Sequence, residues 1–272
     1  MTFNDFFHSC EEKSSHLFRE FIWILTEKFE ISEAKLISGE HQMSVPEKES
    51  LAEWTKLKKK DYPLQYFIGS TQFMGEKFVV SDGVLIPRME TEEIAAWVVE
   101  KYKDKPVKSL IDIGSGSGCL GIGTAIHLPS LEKLVLVEPF GDESLVKNAE
   151  ALCGSKKFST EVLTKTFEDY EFDQKFDLIL SNPPYIYFED PDVAKGVYEH
   201  EPHEALFGGA LGWEKVIAWA VRCYEWLESG GMLVFEISHD QRKIIEEKLA
   251  EYNPCIHKDS FGKDRFLVIE KP

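Results

Sequence analysis

The chain has 272 residues, 43% hydrophobic and 29% charged, enough for one large α/β domain with a small appendage. Its 31 basic against 48 acidic residues leave a net charge of −17; 9 basic and 12 acidic residues fall within positions 1–75, so the remainder carries −14. That balance argues against tracking a nucleic-acid backbone, and no apolar run approaches the ~20 residues that span a bilayer.

The N-terminal stretch Met1-Thr2-Phe3-Asn4-Asp5 lacks the basic start and apolar core of a signal peptide. A cytoplasmic protein is therefore expected, with no membrane partner and no DNA partner. Cys10, Cys119, Cys153, Cys223 and Cys255 contain no C-x-x-C pair. They are read as free thiols rather than as a disulfide framework, and no metal site is expected.

Phe3, Phe6, Phe7 and Cys10, then Leu17, Phe18, Phe21, Ile22 and Leu25, recur at helical spacing. Ser32-Glu33-Ala34-Lys35 opens a second helix, and Pro46-Glu47-Lys48-Glu49 a third. Lys58-Lys59-Lys60 fits the solvated end of that helix, where cations suit the dipole. Residues 1–70 are thus expected to form a helical domain. In residues 71–88, Gln72-Phe73-Met74 and Phe78-Val79-Val80 flank Gly75-Glu76, which predicts a linking hairpin.

From residue 89 to 272 strands and helices alternate. Strands are expected at 109–113, 134–138, 161–164, 176–181, 232–237 and 265–270, with helices over 92–102, 119–126, 214–228 and from Asp240 to about Tyr252. Ser229-Gly230-Gly231 is expected to close the third of these helices. The alternation implies an α/β fold with a mainly parallel sheet covered on both faces. His200 and His203 are read as a solvated loop, and Trp213, Trp219 and Trp226 as core packing or a domain contact.

The strand Leu110-Ile111-Asp112-Ile113 runs into Gly114-Ser115-Gly116-Ser117-Gly118, and a helix follows. Glycines let a ligand approach the backbone, and a helix start offers N–H groups. About twenty residues on, Glu138 ends the next strand, where an acid can accept ribose hydroxyls. The pattern suits NAD, another nucleotide or S-adenosylmethionine (SAM). Asp112 favours SAM: a carboxylate repels a pyrophosphate but attracts the methionyl ammonium.

At the end of strand 176–181 stands Asn182-Pro183-Pro184-Tyr185. Two prolines stiffen the chain and remove local donors. Such a loop can offer the Asn182 side-chain oxygen, backbone carbonyls and the Tyr185 ring to a planar NH2 group. Held at both N–H bonds, a delocalised amide nitrogen can be aimed at an electrophile such as the SAM methyl. The loop fits acceptors that are carboxamides or exocyclic amines of bases, and does not separate the two.

Several further blocks do separate them. Pro63-Leu64-Gln65-Tyr66-Phe67-Ile68-Gly69, Ile86-Pro87-Arg88-Met89-Glu90-Thr91, Glu201-Pro202-His203-Glu204-Ala205 and Glu236-Ile237-Ser238-His239-Asp240-Gln241 closely resemble the peptide chain release factor glutamine methyltransferases, the PrmC/HemK family. The resemblance covers essentially the whole chain. It implies a class I SAM-dependent methyltransferase with a Rossmann-like, mostly parallel seven-stranded sheet and a small N-terminal helical domain joined by a β-hairpin. It also implies N5-methylation of the glutamine in the Gly-Gly-Gln motif of class 1 peptide chain release factors. By the same resemblance SAM lies on Gly114 to Gly118 with Glu138 on its ribose, Phe167 against the adenine, and Arg88 and Thr91 near its methionine end. Asn182 would sit between cofactor and substrate, touching both, Asn182 to Tyr185 would hold the glutamine amide, the helical domain would grip the release factor, and the enzyme would act as a monomer.

Four places depart from the family pattern: Met89 for a proline, Thr166 for an acid, the stretch Ala210-Leu211-Gly212 for acid-Gly-Leu, and Ser238 for a glycine. None lies in the glycine loop or in Asn182 to Tyr185. The alternatives are an adenine-N6 methyltransferase of DNA or RNA, which would need a basic track, and a SAM-binding scaffold without turnover.

Overall fold

The computed structural model of the chain describes residues 1–140 and 143–272, apart from the side chain of Glu168. Its chain folds into two compact units.

The first unit takes Met1–Ser70 together with Lys195–His200. Its helices are Phe3–Ser9, Ser15–Phe29, Glu33–Ile37, Val45–Lys58 and Leu64–Ile68. Thr2 and Ser44 each open a helix with a capping box, closed by Asp5 and Glu47. Phe3, Phe21, Leu25, Leu36, Leu51 and Trp54 make the core. Glu20 ties two helices together by accepting from Trp54 Nε1 (3.0 Å) and Lys58 Nζ (2.5 Å). The segment Lys195–His200, far along the chain, is helical and joins this unit: Lys195 pairs with Asp61 at 3.1 Å and His200 Nε2 meets the Lys60 carbonyl at 2.9 Å. Sequence alone placed His200 in a solvated loop, because a six-residue helix carries no periodic signal.

The second unit takes Thr71–Ala194 and Glu201–Pro272. It begins with the hairpin of β1 (Ser70–Phe73) and β2 (Glu76–Val79), turned at Met74 and Gly75, where φ is +51° and +78°. The hairpin is less a linker than part of the unit's core. Phe73 and Phe78 are buried with Ile94 and Leu120. Asn148, on the helix Glu143–Cys153, accepts from Val79 N–H at 2.8 Å and donates to the Val79 and Ser117 carbonyls, both at 2.9 Å.

Among the described residues nine further strands follow: β3 (Ser109–Ile113), β4 (Lys133–Val137), β5 (Ser159–Leu163), β6 (Phe176–Ser181), β7 (Ile186–Tyr187), β8 (Phe207–Gly209), β9 (Leu227–Glu236), β10 (Cys255–Lys258) and β11 (Asp264–Glu270). Seven form one sheet in the order β10-β11-β9-β6-β3-β4-β5. All pairs from β9 to β5 are parallel, whereas β11 pairs antiparallel with β9 and with β10. β7 and β8 make a separate two-stranded ribbon. The class I SAM-dependent methyltransferase fold expected from the sequence is thus the one observed. Strand alternation divides the core: Leu110, Leu134, Leu178 and Val234 pack on one face under the helix Met89–Tyr102, and Ile111, Val135, Ile179 and Leu233 on the other against Val216 and Ala220.

Several boundaries move by one to three residues, and those around β9 and the last helix differ more from the sequence reading. The helix from Glu214 stops at Glu225, and Ser229-Gly230-Gly231 lies inside β9 as an irregularity in its pairing with β6. Gly230, at φ +81°, permits that bend. The helix expected from Asp240 starts at Arg242 and ends at Lys248. Strand β10 was not expected, since it is short, lies at the sheet edge and is buried on neither face. The cysteines are free thiols, Cys153 and Cys223 among them buried.

Candidate active site

The carboxyl ends of β3, β4 and β6 converge where parallel sheets bind ligands, and a cavity of about 620 Å³ opens there. The turn after β3 forms one part of its lining. Gly114, Gly116 and Gly118 have φ of +69°, +55° and +82°, values that side-chain-bearing residues rarely adopt. The loop spends its amides inward: Gly114 and Ser115 N–H donate to the Val137 carbonyl at 2.9 and 3.0 Å, and Gly116 N–H to Glu138 Oε2 at 2.8 Å. Gly114, Ser115, Gly116 and Ser117 reach the cavity; Gly118 sits behind them at the start of the helix Cys119–Ala125.

Asp112 lines the same cavity and is 1% exposed. Its Oδ2 accepts from Gly121 N–H at 2.9 Å, and its Oδ1 is buried without a hydrogen-bond partner. Gly121 is required for that approach, because a Cβ there would stand 2.7 Å from Oδ2. Burial, helped by the Glu138 charge and opposed by the Gly121 bond, pushes the Asp112 carboxyl up to about 7. Glu138 accepts from Gly116 and, at 3.2 Å, from Phe140 N–H. A carboxylate has about four acceptor positions, so it can take hydroxyl donors besides.

These acceptors distinguish among ligands. With its amides turned inward and two carboxylates facing the space, the loop offers little to a pyrophosphate. An orphaned carboxylate oxygen suits an ammonium, and Glu138 suits a ribose diol. The residues present therefore fit SAM. Phe167 and Trp219 add an aromatic side, their rings 5.1 Å apart, with Trp219 also over Gly114. Sequence reasoning put Trp219 in the core or a domain contact; it lines the cavity, while Trp226 is buried behind Phe167.

Asn182 and Pro184 line the cavity too, whereas Pro183 is buried and Tyr185 stands behind the loop. Asn182 Nδ2 lies 3.2 Å from Thr91 Oγ1. Thr91 Oγ1 donates to Glu236 Oε2 at 2.6 Å, and Tyr185 Oη donates to Glu236 Oε1 at 2.8 Å. Thr91 and Glu236 are 2% and 1% exposed. Burial pushes the Glu236 carboxyl up; the Thr91 and Tyr185 hydrogen bonds and the Arg265 charge oppose it. The Tyr185 ring, assigned by sequence to face a substrate amide, instead turns its hydroxyl inward, where burial and Glu236 keep it protonated.

Gln241 fixes the loop backbone by donating to the Tyr185 carbonyl at 2.9 Å. Gly208 and Gly212 let a second backbone run against it: a Cβ at Gly208 would stand 2.3 Å from the Pro184 carbonyl oxygen, and one at Gly212 2.6 Å from that of Tyr185. Arg88 reaches the cavity and is held by Glu201, at 2.6 Å, which also accepts from Ile86 N–H at 3.2 Å. Glu201, Glu236 and Gln241 stood in the quoted sequence blocks without a role. A buried polar partner has no local signature, so only their place in those blocks marked them.

Three of the family-pattern departures fall at tolerant places, whereas Ala210-Leu211-Gly212 includes the close approach of Gly212 to the Tyr185 carbonyl. Met89 is 73% exposed, Thr166 Oγ1 bonds Asp169 at 2.5 Å, and Ser238 N–H donates to Gln241 Oε1 at 3.1 Å.

The Methyltransferase small domain family matches residues 89–200. The release factor glutamine methyltransferase of Flavobacterium psychrophilum is 35% identical over 222 residues, 78% of this chain and 76% of that protein. That of Clostridium botulinum is 34% identical over 250 residues, 87% of this chain and 85% of that protein. The chain belongs to the release factor glutamine methyltransferase family. The T. thermophilus 16S rRNA N2 G1207 methyltransferase, solved with AdoMet and guanosine, shares the fold at a TM-score of 0.50 and 17% identity, over 75% of this chain and 50% of that one. The cavity described above joins the glycine loop to Asn182. Among the described residues no helix is long and apolar enough to cross a membrane.

Proposed function

We propose that this enzyme transfers the methyl group of SAM to the side-chain amide nitrogen of the glutamine in the Gly-Gly-Gln motif of class 1 release factors, as a cytoplasmic monomer. The observation that carries the reading is the convergence of an amide-presenting loop, Asn182-Pro183-Pro184, and a carboxylate-lined glycine loop on one cavity.

Asp112 and Glu138 would hold the ammonium and ribose of SAM, with Phe167 beside the adenine. When bound, SAM supplies an electrophilic methyl carbon. The chain's own residues supply positioning. Asn182 Oδ1 and a proline carbonyl accept the two amide N–H bonds of the substrate, which holds the nitrogen in place and returns electron density to it. The apolar and aromatic part of the lining, with Val84, Leu85, Ile86 and Trp219, limits the water that competes for those bonds. No base has to act first, because the amide proton becomes acidic only after methylation and can then leave to solvent.

The helical unit of residues 1–70 is the part we assign to gripping the release factor body. Removing it should raise KM for the release factor about 10²-fold while leaving SAM affinity within about twofold, as expected when remote contacts supply binding energy. Equal losses of both would remove that assignment. The activity itself is tested by incubating the full chain with labelled SAM and either a class 1 release factor or adenine-containing DNA. One methyl on the Gly-Gly-Gln glutamine, located by mass spectrometry, is expected; label confined to DNA would overturn the reading.

A further inference from the structure

Asn182 can serve a glutamine amide only if its oxygen, not its NH2, faces the cavity. The structure contains a reason why it must. Glu236 is buried at the end of β9, and each of its two oxygens meets a hydroxyl: Oε2 meets Thr91 Oγ1 at 2.6 Å and Oε1 meets Tyr185 Oη at 2.8 Å. A carboxylate only accepts, so both hydroxyl protons point at it. Thr91, having given its single proton to Glu236, can only accept from Asn182. What lies 3.2 Å from Thr91 Oγ1 is therefore the Asn182 NH2. The amide's other end, Oδ1, is then turned away from Thr91, and Asn182 itself lines the cavity.

We propose that Glu236 and Thr91 are positioning residues that fix the direction of this hydrogen-bond chain, so that the site presents an acceptor and selects a donor NH2. The inference rests on the glutamine reading above and deepens it, since it states why a carboxamide is taken and a carboxylate or ester at the same place is refused. The parts are preassembled by the fold. Ser181 of β6 pairs with Phe235 of β9, so the residues that follow stand side by side: Asn182 just past the end of β6, and Glu236 as the last residue of β9, still paired with Phe266 of β11. Thr91 is contributed by the first turn of the helix Met89–Tyr102; it borders the cavity but is only 2% exposed. Tyr185 anchors the second carboxylate oxygen, and so ties the far end of the proline loop to the same group.

Three variants of the full chain test this. T91V keeps the shape and removes the hydroxyl. T91S keeps the hydroxyl and removes a methyl. E236Q offers one acceptor and one donor where two hydroxyls donate, so one of them must reverse. With a release factor substrate and saturating SAM, kcat is expected to fall about 10²-fold in T91V and at least about tenfold in E236Q, with T91S retaining far more activity than T91V. SAM affinity should stay within about threefold in all three. The double variant should be no slower than about T91V alone, because both changes break one chain.

A second readout needs no substrate. The side-chain NH2 signals of Asn182, assigned by their loss in N182A, should show one proton shifted and slow to exchange in the wild type. Both should become solvent-like in T91V. Unchanged Asn182 signals in T91V and E236Q, or wild-type kcat in both, would overturn the proposal. A wild-type protein inert toward the release factor would instead remove the glutamine reading, and the NH2 signals would then decide the hydrogen-bond chain by themselves. Should T91V fail to fold, E236Q carries the same two measurements.

Discussion

The glycine-loop side and the Asn-Pro-Pro-Tyr side line one cavity but are held in place differently. The glycine loop is local. Its shape comes from three residues at positive φ, and its amides close on Val137 and Glu138, the end of the very next strand. The proline loop is held from afar. Thr91, Glu236 and Gln241 grip it from 91, 51 and 56 residues away in sequence, and Gly208 and Gly212 make room for its carbonyls. A site for a small, invariant ligand can be written into one turn. A site that must distinguish one NH2 group needs buried polar partners, which only a packed core can protect from water.

If the two sides are separate devices, a change on one should leave the other's ligand alone. The largest expected effect is from N182A. It should lower kcat about 10³-fold with SAM affinity within about twofold, read by single-turnover transfer and calorimetry. A comparable loss of SAM binding would merge the two sides into one.

Next comes G208A. The added methyl would meet the Pro184 carbonyl oxygen at 2.3 Å, backbone against backbone, so the loop itself must move. Stability should fall by roughly 2 kcal/mol, as for other overpacked sites, and kcat by about 10²-fold, again with SAM affinity largely kept. Wild-type kcat in a folded G208A protein would mean that the loop's exact height over the cavity does not matter.

D112N acts on the other side, with a smaller effect. SAM affinity should fall roughly tenfold at pH 8 while the release factor KM changes little. The pH dependence sharpens this. With its carboxyl pushed up to about 7, unliganded Asp112 gains a proton as pH falls through that value and no longer attracts an ammonium. Wild-type SAM affinity should thus weaken below about pH 7, by up to about tenfold per unit, and D112N should lack that slope. The stability sign is opposite. A carboxyl whose folded pKa lies above its unfolded value contributes stability at low pH and loses it as pH rises through about 7. D112N should therefore stabilise the unliganded protein at pH 8 more than at pH 5, as thermal melts would show. An unaltered SAM slope in D112N would assign the titration to another group. The smallest effect is expected from T166D at the cavity edge, where restoring an acid should change SAM affinity no more than about threefold.

Much of this was present in the chain's own pattern. Strands β3 and β6 were placed at their full extents, because short, mostly apolar runs that end at glycines and at prolines leave little choice. The glycine loop, Asp112 and Glu138 were legible for the same reason: each belongs to a turn whose conformation its own residues dictate. The helix end near Ser229 was misjudged because glycines mark a bend without saying whether a helix or a strand bends. The short helix Lys195–His200 escaped notice because tertiary contacts, not periodicity, make it helical.

Sequence by itself determined most of the strands, the glycine turn and the presence of a stiff amide-bearing loop, since each is set by a pattern within a few residues. Tertiary structure alone decided that Trp219 lines the cavity, that Tyr185 faces inward, and that Glu236 sits behind Thr91 and Asn182. The reason is physical. A buried carboxylate is tolerable only where donors from separate elements converge on it, and convergence is a property of the folded chain rather than of any stretch of it.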